Sequence, residues 1–206
     1  MLDNWVNMKG KVGQYRARDK MAGKEHEETS YRMEGFAFGL ADGIICFIGL
    51  TIGVAEATFN PTLVIISGII GGLADAFGNS IGFFVSQATE RGVQIHETKE
   101  HGVKTRIHST KEVWMSGVVS FLATILALII LLSPFLFFDI NTAVVLTFSV
   151  GMVLAFVLGG YVGRLSGESP YKTGLKYAVL ALVGAVVSYL IGDFLKHLLI
   201  EHTIKI

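Results

Sequence analysis

Five long apolar stretches constrain the fold of this chain more than any other feature. A helix needs about 20 predominantly apolar residues to cross the roughly 30 Å hydrocarbon core of a bilayer, and each stretch is near or above that length. With 51% hydrophobic and only 17% charged residues, the chain is also too apolar for an ordinary soluble domain. The sequence therefore predicts an all-α polytopic membrane protein with five transmembrane helices, at residues 34–57, 62–88, 113–133, 141–163 and 174–195.

Three dipeptides mark helix boundaries between these spans. Asn60-Pro61 supplies an N-cap and a first helical position for span two, and Ser133-Pro134 ends span three. Ser169-Pro170 breaks the chain before span five. Proline fits the first turn of a helix but not its interior, so we expect helix ends at these three places.

The distribution of Lys and Arg predicts the orientation in the membrane. The N-terminal segment holds seven, the 89–112 connection five and the 164–176 turn three, whereas 58–61 and 134–140 hold none. Because Lys and Arg accumulate in short cytoplasmic loops, we expect a cytoplasmic N-terminus and a C-terminus on the other side. The membrane would be the cell membrane in a prokaryote, or a vacuolar or other organellar membrane in a eukaryote.

The chain divides into a cytoplasmic N-terminal segment, residues 1–32, and a transmembrane domain, residues 33–206. The N-terminal segment has no apolar core of a signal peptide, so span one is expected to direct insertion. Apolar residues at roughly helical spacing indicate an amphipathic helix lying on the membrane or on the rest of the protein. A mobile basic tail is the alternative. These apolar residues are Trp5, Val6, Met8, Val12 and Tyr15.

The connection at about 89–112 is predicted to be a cytoplasmic helical loop that binds metal. It places imidazoles and carboxylates three to five residues apart, and divalent iron, manganese and zinc accept such ligands. The alternative is a solvated, charge-paired extension of spans two and three. The candidate ligands are Glu90, His96, Glu97, Glu100 and His101.

Two carboxylates, Asp42 and Asp75, lie well inside spans one and two. A charge near the bilayer midplane costs about 3 to 15 kcal/mol, so such residues face a cavity or a partner. On helices, Asp42 shares a face with Cys46, and Asp75 with Asn79. These four groups predict a metal and proton pathway, with the carboxylates facing one another across a polar cavity. Hydrogen bonding of both aspartates to neighbouring helices is the alternative.

Spans three to five are predicted to be scaffold. Small residues recur in spans four and five at spacings that let helices approach closely. The chain has no nucleotide-binding loop, no dinucleotide fingerprint and no H-E-x-x-H, so we expect no enzyme and no cofactor apart from a transported cation. Its single cysteine excludes an internal disulfide framework. The 17 basic residues balance 17 acidic ones; this says nothing about nucleic acid, which is not an expected partner.

Two segments resemble the vacuolar iron transporter family, which includes the yeast vacuolar iron and manganese carrier. GLADGIICFIGLTIGVAEA, residues 39–57, looks like the first span of that family, with its Asp-Gly pair and small-residue run. GGLADAFGNSIGFFVSQATERG, residues 71–92, is similar to the second span. Five spans, an internal N-terminus and a Glu- and His-bearing loop agree as well, so the resemblance runs from about residue 32 to the end and indicates a divergent member.

The resemblance implies a homodimer that exports divalent iron or manganese from the cytosol in exchange for protons, near an interface formed by the first spans. Asp42 matches the metal aspartate of the family. Independently of the resemblance, like-charge repulsion from Asp75 is expected to tune proton binding at Asp42. Asn79 stands where the family has a methionine, and Phe83 where it often has Glu or Gly. The harder site favours manganese, magnesium or calcium. A non-transporting assembly protein of the same fold and a transporter of another solute stay open.

Overall fold

Five of the helices are long and apolar enough to cross a membrane. The structure is a computed structural model that describes residues 32–100 and 107–204, with side chains described as far as residue 198. The five-span, all-α prediction is confirmed. The predicted amphipathic segment before Arg32 lies outside the described residues. The helices are α1 (Arg32–Thr58), α2 (Pro61–Glu100), α3 (Thr110–Leu132), α4 (Pro134–Phe137), α5 (Ile140–Leu165) and α6 (Pro170–Ile204).

Local side-chain caps explain where these helices begin. The Oδ1 atom of Asn60 accepts a hydrogen bond from the backbone N–H of Thr62 at 2.9 Å, which confirms the predicted N-cap of α2. Ser109 and Glu112 form a capping box at the start of α3. The Ser133-Pro134 break ends α3 as predicted, but the chain then forms the short helix α4 and not an open loop.

Helix α1 runs through the middle of the bundle and packs on α3 through small residues. Gly35, Gly39 and Gly43 lie one turn apart and face the α3 backbone. A Cβ atom at Gly39 would overlap the backbone oxygen of Ser120, so only glycine allows this approach. One turn after Gly43, Phe47 is completely buried. This packing fixes the depth and rotation of α1 relative to α3.

Helix α6 packs on both α5 and α1 through further glycines. A Cβ atom at Gly159 of α5 would lie 2.7 Å from the backbone oxygen of Thr173, and Gly192 of α6 lies directly on Gly53 of α1. The predicted role of small residues in spans four and five is therefore confirmed. At the end of α6, Lys196 forms a 3.0 Å ion pair with Glu56 of α1.

Helix α2 continues well beyond the predicted end of span two. It extends to Glu100, so most of the 89–112 connection is a helical extension of α2. The chain then returns to α2 at His108, whose backbone N–H donates to Gln94 Oε1 at 2.9 Å. Arg91 Nε donates to the backbone oxygen of His108 at 2.8 Å. These bonds attach the start of α3 to the extension.

Candidate metal-transport site

Asp42 of α1 and Asp75 of α2 lie close enough to interact electrostatically. Asp42 is exposed on the surface of the single chain, and Asp75 is half-buried. The Cys46 thiol hydrogen-bonds to the Asp75 carboxylate, whereas Oδ2 of Asp75 is shielded from solvent without a hydrogen-bond partner. An oxygen of this kind can accept a proton or a cation.

The packing of α1 explains why Asp42 is presented in this way. Gly39 and Gly43, on either side of Asp42 in the sequence, pack against α3. Asp42 itself lies on a face of α1 that α3 does not cover. Positions four residues apart share a helix face, so Glu34, Phe38, Asp42 and Cys46 form one row. This row and the neighbouring face of α2 are called the open face below. On α2 it carries Asp75, Gly78 and Gly82, and no atom lies within 4 Å of a Cβ built at either glycine.

Asn79 is held one turn from Asp75 by a hydrogen-bond chain that joins three helices. Its Nδ2 atom lies 3.1 Å from Oγ1 of Thr124 on α3. Thr124 Oγ1 in turn lies 3.0 Å from the backbone oxygen of Gly39 on α1. Thr124 is completely buried. The structure thus brings all four predicted pathway residues to one region of α1 and α2.

An acidic group marks the end of the open face that lies next to the helical extension of α2. Glu34, two turns before Asp42 on α1, is close enough to Glu90 and His108 to interact with both electrostatically. His108 Nε2 lies 3.9 Å from Glu90 Oε1. Carboxylates therefore occur both at the base of the helical extension and within the membrane-spanning part.

The loop ligands that the structure describes do not converge on one point in a single chain. His96 pairs with Glu100 of its own helix at 3.4 Å, and both side chains are mostly exposed. Glu97 is exposed as well, and His101 lies outside the described residues. Within 32–100 and 107–204, no three His, Cys, Asp or Glu side chains form a group that could hold a metal ion. A metal-binding role for the loop stays a prediction.

Sequence reasoning overlooked two residues of this region. Glu34 stands at the edge of an apolar run and reads as an interfacial charge. Thr124 occurs in a Leu/Ile-rich span interpreted as scaffold. A signal for it existed, because Ser116, Ser120 and Thr124 repeat every four residues and so place hydroxyl groups along one face of α3.

The chemistry of the site suits a divalent cation. Two carboxylates, one amide and one thiol offer mainly hard oxygen donors, and water completes such a shell readily. Carboxylates also bind protons, so the same groups can exchange one cation for the other.

Comparison with known proteins gives matches that span this region. A sequence profile of the VIT family matches residues 34–101 and 87–193. The chain is 28% identical over 162 residues to an uncharacterized protein of Methanocaldococcus jannaschii, covering 74% of this chain and 84% of that protein. It is 22% identical over 171 residues to vacuolar iron transporter homolog 4 of Arabidopsis thaliana, covering 81% and 83% respectively.

Proposed function

Because this chain belongs to the VIT family of membrane metal-ion transporters, we propose that it exports divalent iron or manganese from the cytosol in exchange for protons. The observation that carries the proposal is the pair Asp42 and Asp75 on the open face. Charged residues at such depth are tolerated when they serve a pathway or a partner. A relative named as a vacuolar iron transporter homolog supports the substrate class.

The acidic group at the cytoplasmic end supports the direction of transport. Glu90 lies at the base of the helical extension, and Glu34 interacts with it two turns before Asp42 on α1. A cation from the cytosol would therefore meet carboxylates before it enters the membrane. Clefts lined with one sign of charge raise the local concentration of the opposite ion. The extension would collect metal, and the open face would carry it across.

A second copy of the chain is part of the proposal. Asp42 is exposed in the single chain, and an aspartate at the centre of a lipid-facing helix costs at least about 3 kcal/mol. Gly78 and Gly82 form a small-xxx-small pair with open space around them, a pattern that lets two helices pack closely. A homodimer that buries the open faces would enclose the pathway between its two copies.

Proton exchange would use the same carboxylates as the metal. Metal bound between Asp42 and Asp75 offsets their mutual repulsion, and protons offset it when the metal leaves. Loading one cation then expels the other, so a proton gradient can drive export. The chain has no nucleotide-binding loop of the G-x-x-x-x-G-K-[ST] type as another energy source.

Flux measurements in proteoliposomes test this function. Wild-type protein should move Mn²⁺ and Fe²⁺ with opposing proton movement, read by a metal-quenched dye and a pH dye. Asp42→Asn should abolish both signals. Asp193→Asn is the matched control, because Asp193 lies near the end of α6 and pairs with His197 at 3.6 Å; it should keep both signals.

The results of these flux measurements distinguish a proton-coupled metal exporter from the two alternative functions. Wild-type rate and coupling in Asp42→Asn would refute the shared-carboxylate mechanism. Metal binding by the wild-type protein without flux would favour the non-transporting assembly protein. A pH-dependent flux that is independent of metal would indicate a different solute.

A further inference from the structure

The hydrogen-bond chemistry of Thr124 determines how the Asn79 amide is turned. A threonine hydroxyl has one proton to donate. Thr124 Oγ1 lies 3.0 Å from the backbone oxygens of both Gly39 and Ser120, and these oxygens only accept. The proton of Thr124 is therefore used on a carbonyl group. With its proton placed there, the Thr124 oxygen accepts a hydrogen bond from the NH₂ group of Asn79 at 3.1 Å.

The carbonyl oxygen of Asn79 consequently points away from Thr124. Asn79 follows Asp75 by one helical turn on the same face of α2, and it is partly buried, as Asp75 is. With the amide reversed, the Thr124 hydroxyl would have to leave its carbonyl acceptor and donate to the Asn79 oxygen. Otherwise two acceptors would face each other where Thr124 is 0% exposed to water. The amide orientation is thus set by α3 and α1 together, before any cation arrives.

We propose that Thr124 is a positioning residue that holds the Asn79 carbonyl oxygen as a ligand beside Asp42 and Asp75, and so makes the site prefer hard divalent ions such as Mn²⁺ to soft ones such as Cd²⁺. This inference rests on the proposed function, because it assigns the substrate class of that site. Carbonyl and carboxylate oxygens suit Mn²⁺, whereas sulfur ligands suit softer ions. The Cys46 thiol is engaged by Asp75, which leaves oxygen as the dominant donor.

Replacing a residue that hydrogen-bonds to a metal ligand and orients it typically changes metal affinity by about 10- to 100-fold. Thr124→Val keeps the shape of the side chain but removes the acceptor, so the amide is free to rotate. Its expected effect is a drop of about tenfold in the ratio of Mn²⁺ to Cd²⁺ affinity. Thr124→Ser keeps the hydroxyl group and should retain the wild-type ratio.

The experiment is calorimetric titration of the full chain in nanodiscs with Mn²⁺ and with Cd²⁺. It includes the wild type, both Thr124 variants, Asn79→Met and the double variant Asn79→Met/Thr124→Val. Asn79→Met should lower the ratio at least as far as Thr124→Val. If Thr124 acts through Asn79, adding Thr124→Val to Asn79→Met should not change the ratio further. A merely structural role would not produce that dependence.

Three results would overturn the inference. An unchanged ratio in a folded Thr124→Val protein, with Mn²⁺ flux intact in the wild type, would refute it and leave the proposed function standing. An equal drop in Thr124→Val and Thr124→Ser would show that the hydroxyl acceptor is not what matters. Failure of the wild type to bind either ion would overturn the proposed function as well. Should Thr124→Val not fold, Thr124→Ala removes the same acceptor with less bulk and is judged by the same ratio.

Discussion

Asp75 differs from Asp42 in its surroundings, although both are aspartates of membrane spans. Asp75 is half-buried and hydrogen-bonded by Cys46, while Asp42 is exposed on the open face. The proposed function therefore gives them different roles: Asp42 carries the cation, and Asp75 adjusts the competition between metal and proton. The difference is testable because the two positions accept the same substitution.

Asp75→Asn should retain part of the metal flux and move its pH optimum to lower values. A neighbouring negative charge strengthens proton binding at Asp42, so its removal lets metal displace the proton at lower pH. Flux measured in proteoliposomes across a pH series checks this. Asp42→Asn is the comparison, since it should abolish flux at every pH. Complete loss of flux in Asp75→Asn would show that both carboxylates are indispensable ligands.

The sequence was sufficient to single out Asp42 and Asp75, because a carboxylate in an apolar run is costly wherever the helix points. It could not show that Thr124 hydrogen-bonds to Asn79, one helical turn from Asp75. A threonine in a membrane helix satisfies its hydroxyl group on its own backbone at little cost, so one threonine alone is a weak signal, and only the four-residue repeat of hydroxyl groups on α3 pointed to it. Only the approach of Gly39 to α3 shows that the same hydroxyl group also serves α1 and α2.

The contact between α5 and α6 leads to a prediction that depends on backbone distance. Gly159 and Gly160 are adjacent on α5, but a Cβ atom would lie 2.7 Å from the Thr173 oxygen at the first position and 3.4 Å from the Pro170 oxygen at the second. Gly159→Ala should therefore destabilise the protein by about 1 to 3 kcal/mol. Gly160→Ala is the matched control and should melt close to the wild type. The measurement is the melting temperature of each variant in detergent. Equal melting temperatures for the two variants would show that Gly159 is not required for the close packing of α5 on α6.

A carboxylate at the turn between α5 and α6 predicts a pH effect. The Thr173 hydroxyl donates to Glu168 at 2.9 Å, and this bond, followed by the Lys176 ammonium, holds the pKa of Glu168 below its usual value of 4.5. A lowered folded-state pKa stabilises the fold above the unfolded pKa, and the contribution is lost as pH falls through the folded value.

Glu168→Gln should therefore melt below the wild type at neutral pH, and the difference should disappear in acid as the pH falls through the lowered pKa of Glu168. Glu168 is exposed, so we expect a small difference that added salt weakens. Melting curves of the two proteins, recorded in parallel from neutral to acidic pH, provide the measurement. A difference that persists unchanged in acid would mean that the glutamine disturbs the turn itself.

The ends of the elements show what hydropathy can and cannot predict. Residues 62–88 were predicted as span two because hydropathy reports the part of a helix that lies in lipid. Helix α2 continues to Glu100, since Gln94, Arg91 and the segment at His108 satisfy one another outside the membrane. The polar spacing predicts a helical connection here, but it has no apolar period that would fix where the helix ends.

At the scale of the whole molecule, the spans differ in how much the single chain covers them. The most apolar window of α1 is 50% buried and that of α2 only 22%. Hydropathy does not distinguish a helix face that contacts lipid from one that packs against a second protein chain, because both faces are apolar. The positions of polar residues and glycines favour a protein interface over lipid here. Asp42, Gly78 and Gly82 lie on the open face, and contact of the Asp42 carboxylate with lipid would be costly.

The proposed homodimer leads to the last prediction. Nothing lies within 4 Å of a Cβ atom at Gly82, so Gly82→Leu should leave the single chain folded. In a dimer built on the open face the added side chain would hold two copies of α2 apart. Val157→Leu is the control, because Val157 is 60% exposed on α5, away from that face. Light scattering in detergent should give a protein mass near twice 22.3 kDa for the wild type and the control, and near one chain for Gly82→Leu. A Gly82→Leu protein that remains dimeric would place the interface elsewhere, and Asp42 would then need a different partner in the membrane.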